Sequence, residues 1–203
     1  MRLLTAPEVH ASLESQDPES LFLDPLLRPE QVGAVSVDLR LGYDFLVSVL
    51  TRQAAIEVLP LPDARGRSVR SFFQETRRQL GERFVLYPHQ TVLTTTLEYL
   101  SLPGAMLAEV GVRSSYSRLG IGATTVMQPG WRGTIPLEVF NHGNTPVEMV
   151  VGSCVFQARF FSLDVAQRYT DRPRKYYGTV RPTPSRIQED VDLKRLARIP
   201  RTT

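Results

Sequence analysis

The chain has 203 residues, of which 42% are hydrophobic and 22% charged, an ordinary composition for a globular protein. This length predicts a single domain, residues 1–203, that buries a sizeable core. The apolar runs are far shorter than a bilayer requires, and the first residues lack the apolar stretch of a secretory signal. One cysteine, Cys154, excludes an internal disulfide framework. We therefore expect a cytoplasmic protein without a membrane partner.

Charge is unevenly distributed, although the net charge is only +3. Ten basic and four acidic residues follow from Arg168 onward, so this C-terminal segment (168–203) carries +6 and the rest of the chain −3. A solvated basic tail is the ordinary interpretation, and a polyphosphate ligand is equally compatible with it. Nucleic-acid binding is disfavoured because the basic residues do not alternate with aromatic residues that stack on bases.

The first part of the chain mixes one helix, loops and two strands. Residues 5–13 predict a short amphipathic helix, with Thr5 as its N-cap and Glu8 three residues later. Prolines in 17–32 predict a loop. Residues 35–41 alternate apolar and polar side chains, as a half-buried strand does, and 43–50 supply a second strand. Residues 61–82 predict an exposed loop around 63–67 and one helical piece over 71–80.

Short strands dominate from residue 84 onward. Turn signals such as Pro103-Gly104 and Pro129-Gly130 separate them. Many short strands at this spacing predict a mainly β fold of the barrel or sandwich type. A helix over 185–197, with Ser185 as its N-cap and Pro200 as its stop, is expected near the end of the chain. The predicted strands are 84–87, 91–97, 106–112, 134–140, 147–151 and 154–161.

Few residues are available for metal or dinucleotide chemistry. The three histidines (10, 89 and 142) are far apart in sequence, and no Cys-x-x-Cys pair occurs. A zinc nucleobase deaminase needs one histidine and two cysteines, or three cysteines, and one cysteine cannot build that site. No Walker motif is present, and Gly120-Ile121-Gly122 is too little for a dinucleotide loop. We therefore expect no metal bound by protein ligands.

Glu138 is the sharpest candidate for acid–base chemistry. In an extended strand, Pro136, Glu138 and Phe140 share one face, and the apolar residues between them take the other. Such flanking predicts a carboxylate that is partly shielded from water and exchanges protons near neutrality. The alternative is a solvent-facing or salt-bridged glutamate on the surface of a sheet.

Arg113-Ser114-Ser115 and Arg118 form a second candidate cluster. Free amides at a helix start, hydroxyls and guanidinium groups together suit an anionic phosphate chain. Arg118 lies about one helical turn from Ser114, so a short helix could bring these groups to one site. The alternative is a helix capped by a serine hydroxyl, with arginines that are merely solvated.

In this order, the motifs resemble the dCTP deaminase family, within the trimeric dUTPase superfamily. The resemblance covers nearly the whole chain. It implies a distorted β-barrel or jelly roll with a few short helices, including N- and C-terminal ones. It also implies a homotrimer with active sites between subunits. The matching stretches are 36–42, 113–115, 118–120, 129–133 and 137–138, and the spacing from Lys175-Tyr176 to Ser185-Arg186-Ile187.

The resemblance also implies an activity and roles for particular residues. Members of the family hydrolyse the 4-amino group of dCTP to give dUTP and ammonia, without zinc, and Mg²⁺ arrives with the triphosphate. Glu138 would be the general acid/base, Ser114 would position water, and Arg118 would stabilise charge. The remaining residues implied to bind substrate are Arg113, Ser115, Gln128, Pro136, Tyr169, Lys175 and Thr179, with Lys175 on a C-terminal segment that closes over the ligand.

Several positions depart from the family pattern. Gln128 stands in place of an aspartate that contacts the sugar, Thr179 in place of a glutamine, and Pro136 removes a backbone donor. The loop before Pro129 is shorter and lacks a histidine. Two alternatives therefore stay open. One is a dUTPase or a bifunctional deaminase that releases dUMP, and the other is a catalytically weakened nucleotide-binding paralogue.

Overall fold

The computed structural model describes residues 1–52, 55–59, 68–167, 169–171 and 174–199. Within these ranges the protein is mainly β, as predicted, with three α-helices and four short 3-10 helices. The strands are β1 (Arg2–Leu3), β2 (Phe22–Asp24), β3 (Val37–Arg40), β4 (Asp44–Ser48), β5 (Phe73–Arg77), β6 (Arg83–Leu86), β7 (Thr91–Ser101), β8 (Met106–Val112), β9 (Ile121–Gly122), β10 (Thr124–Met127), β11 (Arg132–Asn141), β12 (Val147–Val150) and β13 (Cys154–Ser162). The α-helices are α1 (Ala6–Glu14), α2 (Ser114–Ser117) and α3 (Val191–Leu196), and the 3-10 helices are Pro29–Gln31, Val69–Phe72, Tyr169–Asp171 and Ile187–Glu189.

The strands pair into two larger sheets and one two-stranded sheet. The first follows the order β1-β13-β8-β10, with β3 also pairing with β13, and the second follows β5-β4-β7-β11-β9, with β2 also pairing with β7. The third joins β12 to β6. All these pairings are antiparallel. The described sheets are open paths and not closed rings, so the barrel character of the predicted fold is only partly confirmed.

One buried apolar cluster holds the two larger sheets together. It takes Leu39 and Phe156 from the first sheet and Val92 and Leu137 from the second. Alternating burial along β11 reflects the period-two geometry of a strand, in which successive side chains point to opposite faces. Full burial of one such side chain contributes roughly 1.5–3 kcal/mol, so this cluster is the main source of stability.

A buried polar cluster ties β3 to β7. The carboxylate of Glu98 lies 3.2 Å from Arg40 Nη1, and it also accepts a hydrogen bond from the Arg40 backbone N–H at 2.9 Å. Gln31 Nε2 donates to the same carboxylate at 3.4 Å. Burial raises the pKa of Glu98, against the opposing effect of the hydrogen bonds and charge of Arg40. Because an unpaired charge at this depth is costly, removing either partner destabilises the fold.

The N-terminal helix is confirmed as α1. The backbone N–H of Thr5 donates to Glu8 Oε2 at 2.9 Å, which satisfies a donor at the helix start. Arg2 lies 2.7 Å from the same carboxylate. The hydrogen bond from Arg2, followed by those from Thr5, lowers the pKa of Glu8 to about 2. No helix within the described ranges combines the length and apolar character needed to cross a membrane.

Other predicted elements need correction. The helix predicted over 71–80 is wrong, because Phe73–Arg77 forms β5 and pairs with β4. The helix predicted over 185–197 is divided into a 3-10 helix at Ile187–Glu189 and α3, with Asp190 and not Ser185 as the N-cap of α3. β2 lies in a stretch predicted as loop, where pairing with β7 supplies its hydrogen bonds. The exposed loop predicted around 63–67 and the stop at Pro200 fall outside the described residues.

Candidate active site

A cavity of about 670 Å³ opens beside β10 and β11. Apolar side chains line most of it, with a few polar groups, which is usual for sites that bind small molecules. Its walls come from β10, β11, the turn between them, and the C-terminal segment from Tyr169 to Ile187. The predicted site residues among its lining are Gln128, Pro136, Glu138, Tyr169 and Thr179.

Glu138 lies on the face of β11 that the alternation predicts. Leu137 and Val139 are buried, whereas Pro136 and Phe140 are half-buried and Glu138 is exposed. The predicted shielding from water is therefore wrong for the single chain, because its two flanking side chains leave the carboxylate open. The side chain of Glu138 forms no ion pair or hydrogen bond with any residue that the structure describes. Its carboxylate is thus available to a ligand in the cavity.

Pro136 fits into β11 because the ladder is irregular there. The register between β11 and β7 shifts between Thr134 and Pro136. At this point the N–H of Ile135 donates to the side chain of Thr96, at 3.1 Å from Oγ1. A proline lacks an N–H and is tolerated in a sheet at such an irregularity. Pro136 therefore lies next to an irregular point of the ladder, where a residue without an N–H is tolerated, and it lines the cavity there.

The C-terminal segment docks on the edge of β11. Gly178 N–H donates to Arg132 O at 2.9 Å, and Thr134 N–H donates to Thr179 O at 3.1 Å. Gly133, at φ 142°, makes this approach possible, because a Cβ at that position would lie 2.5 Å from Thr179 O. The docking holds Thr179 at the cavity, 45 residues along the chain from its partner Thr134.

Trp131 packs against two tyrosines of the C-terminal segment. It is 3% exposed, and its ring centroid lies 6.0 Å from that of Tyr169 and 6.2 Å from that of Tyr177. Its Nε1 is buried and finds no hydrogen-bond partner among the described residues. Aromatic contacts of this kind add to the apolar area that each ring buries. Trp131 therefore packs where β11 begins and the C-terminal segment passes.

The second predicted cluster lies on α2 and is not part of the cavity lining. Arg113 N–H donates to Val155 O at 2.9 Å, and its guanidinium contacts Cys154 O at 3.1 Å and Asp38 Oδ2 at 3.2 Å. Arg118 N–H donates to Ser114 O at 3.1 Å, so one helical turn brings these two together, as predicted. Ser114, Ser115 and Arg118 are all exposed.

The strand register places α2 and Gln128 at opposite ends of β10. β8 and β10 are antiparallel, with Gly111 opposite Thr124 and Ala108 opposite Met127. The chain enters α2 from the Thr124 end, whereas Gln128 follows Met127 at the other end. Three residues of strand separate these ends, which corresponds to about 10 Å. In a single chain, Gln128 and the α2 cluster therefore lie at different ends of this strand pair.

Comparisons with known proteins bear on this arrangement. A family model described as dCTP deaminase-like matches residues 3–163. The chain belongs to this family. Among its relatives, the dCTP deaminase of Natronomonas pharaonis is 36% identical over 94% of this chain and 97% of that protein. The protein of Methanobrevibacter smithii named dCTP deaminase, dUMP-forming, is 31% identical over 86% of this chain and 91% of that one.

A solved structure agrees with the assignment. The crystal structure of 2′-deoxycytidine 5′-triphosphate deaminase from Agrobacterium tumefaciens is similar to this chain with a TM-score of 0.57 and 25% identity. The similarity covers 78% of this chain and 47% of that chain. The fold of this dCTP deaminase-like chain is therefore shared with a larger protein.

Lys175 is held apart from the cavity in this dCTP deaminase-like chain. Its ammonium group forms an ion pair with Asp190, and both side chains are half-buried. Its neighbour Tyr176 lines the cavity, but Lys175 itself does not. Its predicted role in holding phosphates stays a prediction.

Sequence reasoning missed the apolar wall on the far side of the cavity. This wall is formed by three residues between β4 and β5 and by the first residue of β5. Apolar residues in an otherwise polar stretch were the available signal. The wall residues are Ile56, Val58, Val69 and Phe73.

No three histidine, cysteine, aspartate or glutamate side chains come together as a candidate metal site within the described ranges.

Proposed function

We propose that this chain hydrolyses the 4-amino group of dCTP to give dUTP and ammonia. The observation that carries the proposal is the position of Glu138 at this cavity, in a chain that belongs to a deaminase-like family. It is a carboxylate without a protein partner in the described residues, and it faces a largely apolar cavity of nucleoside-compatible size. Gln128, Tyr169 and Thr179 supply polar groups around the same cavity.

The reaction needs one group that moves protons between water and the pyrimidine. Glu138 would accept a proton from water as the water oxygen bonds to C4 of the base, and would pass this proton to N3. The tetrahedral carbon then loses the amino group as ammonia, which takes its additional proton from the new hydroxyl through Glu138. General acid–base catalysis by one positioned carboxylate typically contributes a factor of about 10² to 10⁴.

The α2 cluster would complete the site from a neighbouring subunit of a homotrimer. The exposed Ser114 would position the attacking water, and Arg118 would stabilise the charge that develops on the base. Arg113 and Ser115 would bind phosphate oxygens of the substrate, which carries its own Mg²⁺. The anchoring of Arg113 by Asp38 and Cys154 O supports this role, because it restrains the guanidinium while leaving other N–H donors uncommitted.

The test is incubation of the purified protein with dCTP and Mg²⁺, followed by anion-exchange separation of nucleotides and an ammonia assay. We expect dUTP and ammonia in equal amounts. Glu138→Gln is expected to lower kcat by about a hundredfold or more. Its melting temperature should not change, because the side chain is exposed and unpaired. Glu109→Gln, a similar change at an exposed position of β8, is the matched control. Full activity in Glu138→Gln would refute the proposed role.

A second candidate function shares the first step and then cleaves the triphosphate to give dUMP. Its support is that several relatives, including the Methanobrevibacter smithii protein, are named dUMP-forming. The uncharged Gln128 disfavours it, because activation of water near the phosphates calls for an acidic residue in this neighbourhood. Pyrophosphate release from dCTP or dUTP distinguishes the two functions.

A further inference from the structure

The ammonium group of Lys175 has an anionic partner within the chain. It pairs with the carboxylate of Asp190, and the two side chains are 30% and 31% exposed. The sequence comparison predicts that the same ammonium group holds phosphate oxygens. An aspartate carboxylate and a terminal phosphate offer a lysine the same chemistry, which is negatively charged oxygen acceptors.

Local hydrogen bonds hold Asp190 beside Lys175. Its N–H donates to Ile187 O at 3.0 Å, which closes the 3-10 helix, and its carbonyl accepts from Lys194 N–H at 3.0 Å, which begins α3. Arg186 fastens this turn to the lysine, since its Nη1 donates to Lys175 O at 2.7 Å. Its backbone N–H also donates to the Tyr176 hydroxyl at 2.8 Å. The carboxylate is therefore presented to Lys175 by a folded turn.

Residues near the ion pair along the chain line the cavity, although Lys175 and Asp190 themselves do not. Tyr176 follows Lys175 directly, and Ile187 precedes Asp190 by three residues, and both line the cavity. Thr179 and Ser185, between them along the chain, also line it. A triphosphate that extends from a base in this cavity along the C-terminal segment would pass these neighbours of the Lys175–Asp190 pair.

We propose that Asp190 competes with the phosphates of the substrate for Lys175 and thereby sets the affinity of the site for a triphosphate. The proposal rests on the proposed function, because that function assigns the cavity to dCTP. Binding of the phosphates to Lys175 displaces the Asp190 carboxylate, because the carboxylate would otherwise lie next to the negatively charged phosphates. The free energy that the lysine–phosphate contact contributes to binding is therefore reduced by the free energy of the Lys175–Asp190 ion pair that it replaces.

Asp190→Asn removes this competition while keeping the turn. Asparagine is as good an N-cap as aspartate, so the start of α3 is preserved. An ion pair between half-exposed side chains is worth up to about 1 kcal/mol, so affinity for tripolyphosphate and for dCTP with Mg²⁺ should rise by about fivefold. The gain should shrink as salt is added, because screening weakens the original pair. Binding of deoxycytidine, which has no phosphate, should not change.

Two further variants isolate the effect. Asp192→Asn makes the same change of charge in the first turn of the same helix, at an exposed position. It should leave tripolyphosphate binding at the wild-type value. Asp190→Asn should also lose its effect in a Lys175→Met background, because the proposed competition is for that ammonium group alone.

Isothermal titration calorimetry with tripolyphosphate and with dCTP and Mg²⁺ decides between the outcomes. Tighter binding in Asp190→Asn and not in Asp192→Asn supports the proposal. Equal affinities in wild type and Asp190→Asn, or an equal gain in both variants, overturn it even if the wild-type protein deaminates dCTP. A selective gain in a protein that produces no dUTP retains the competition and refutes the proposed function instead.

Discussion

Gly133→Ala tests whether the C-terminal segment must dock on β11 for the cavity to form. The Cβ of an alanine would lie 2.5 Å from Thr179 O and 3.3 Å from Thr179 N, and φ at this position is 142°. A backbone conformation of this kind costs a non-glycine residue about 1–3 kcal/mol. The segment can avoid the clash by leaving β11, at the loss of two backbone hydrogen bonds of about 1 kcal/mol each.

The expected result is therefore a detached segment on an intact fold. Trypsin should cleave after Arg174 and Lys175 faster than in the wild type, because these sites lie on the released segment. Trp131 is the only tryptophan, and its fluorescence should shift as Tyr169 and Tyr177 move away. The KM for dCTP should rise by about tenfold or more, since the two lost hydrogen bonds amount to about 2 kcal/mol.

Gly81→Ala is the matched control. Gly81 also has a positive φ, of 85°, but a Cβ there meets nothing within 4 Å. It separates the backbone cost of a positive φ from the steric contact with Thr179. Unchanged proteolysis and an unchanged KM in Gly133→Ala, with a normal melting temperature, would refute the reasoning.

Three other predictions concern the core, the assembly and acid stability. Glu98→Ala leaves the Arg40 guanidinium buried without its partner, and urea titration should show a loss of about 3–5 kcal/mol in the free energy of unfolding; a loss below about 1 kcal/mol would contradict the cost assigned to the buried charge. Mixing inactive Glu138→Gln and Arg118→Ala chains, after dissociation and reassembly, should restore about a quarter of the wild-type rate, because a site between subunits then combines one intact residue from each chain by chance. No recovery would place both residues in the same subunit's site. Because Arg2 and Thr5 lower the pKa of Glu8 to about 2, its contribution to stability is present above pH 4.5 and is lost as pH falls through about 2. Melting temperatures of Glu8→Gln should therefore differ from wild type at pH 5 and converge with it at pH 2, and a constant difference would exclude the carboxylate as the cause.

The amino-acid sequence by itself determined the family, the mainly β class and the face of Glu138. These three features depend only on residues that are close together in the sequence. The motifs are read directly from the order of residues, and side chains two apart in a strand share a face wherever that strand lies. The helix α1 was also local, because Thr5 and Glu8 are three residues apart and close the helix start between them.

Tertiary structure alone decided how these parts are combined. Phe73–Arg77 became a strand because β4, which is distant in sequence, offered it an edge. Thr179 reached the cavity through hydrogen bonds to β11 across 45 residues. The register of β8 on β10 separated α2 from Gln128, and the turn before α3 joined Asp190 to Lys175. Each of these outcomes depends on contacts between residues far apart along the chain, and local propensity and periodicity carry no information about such pairings.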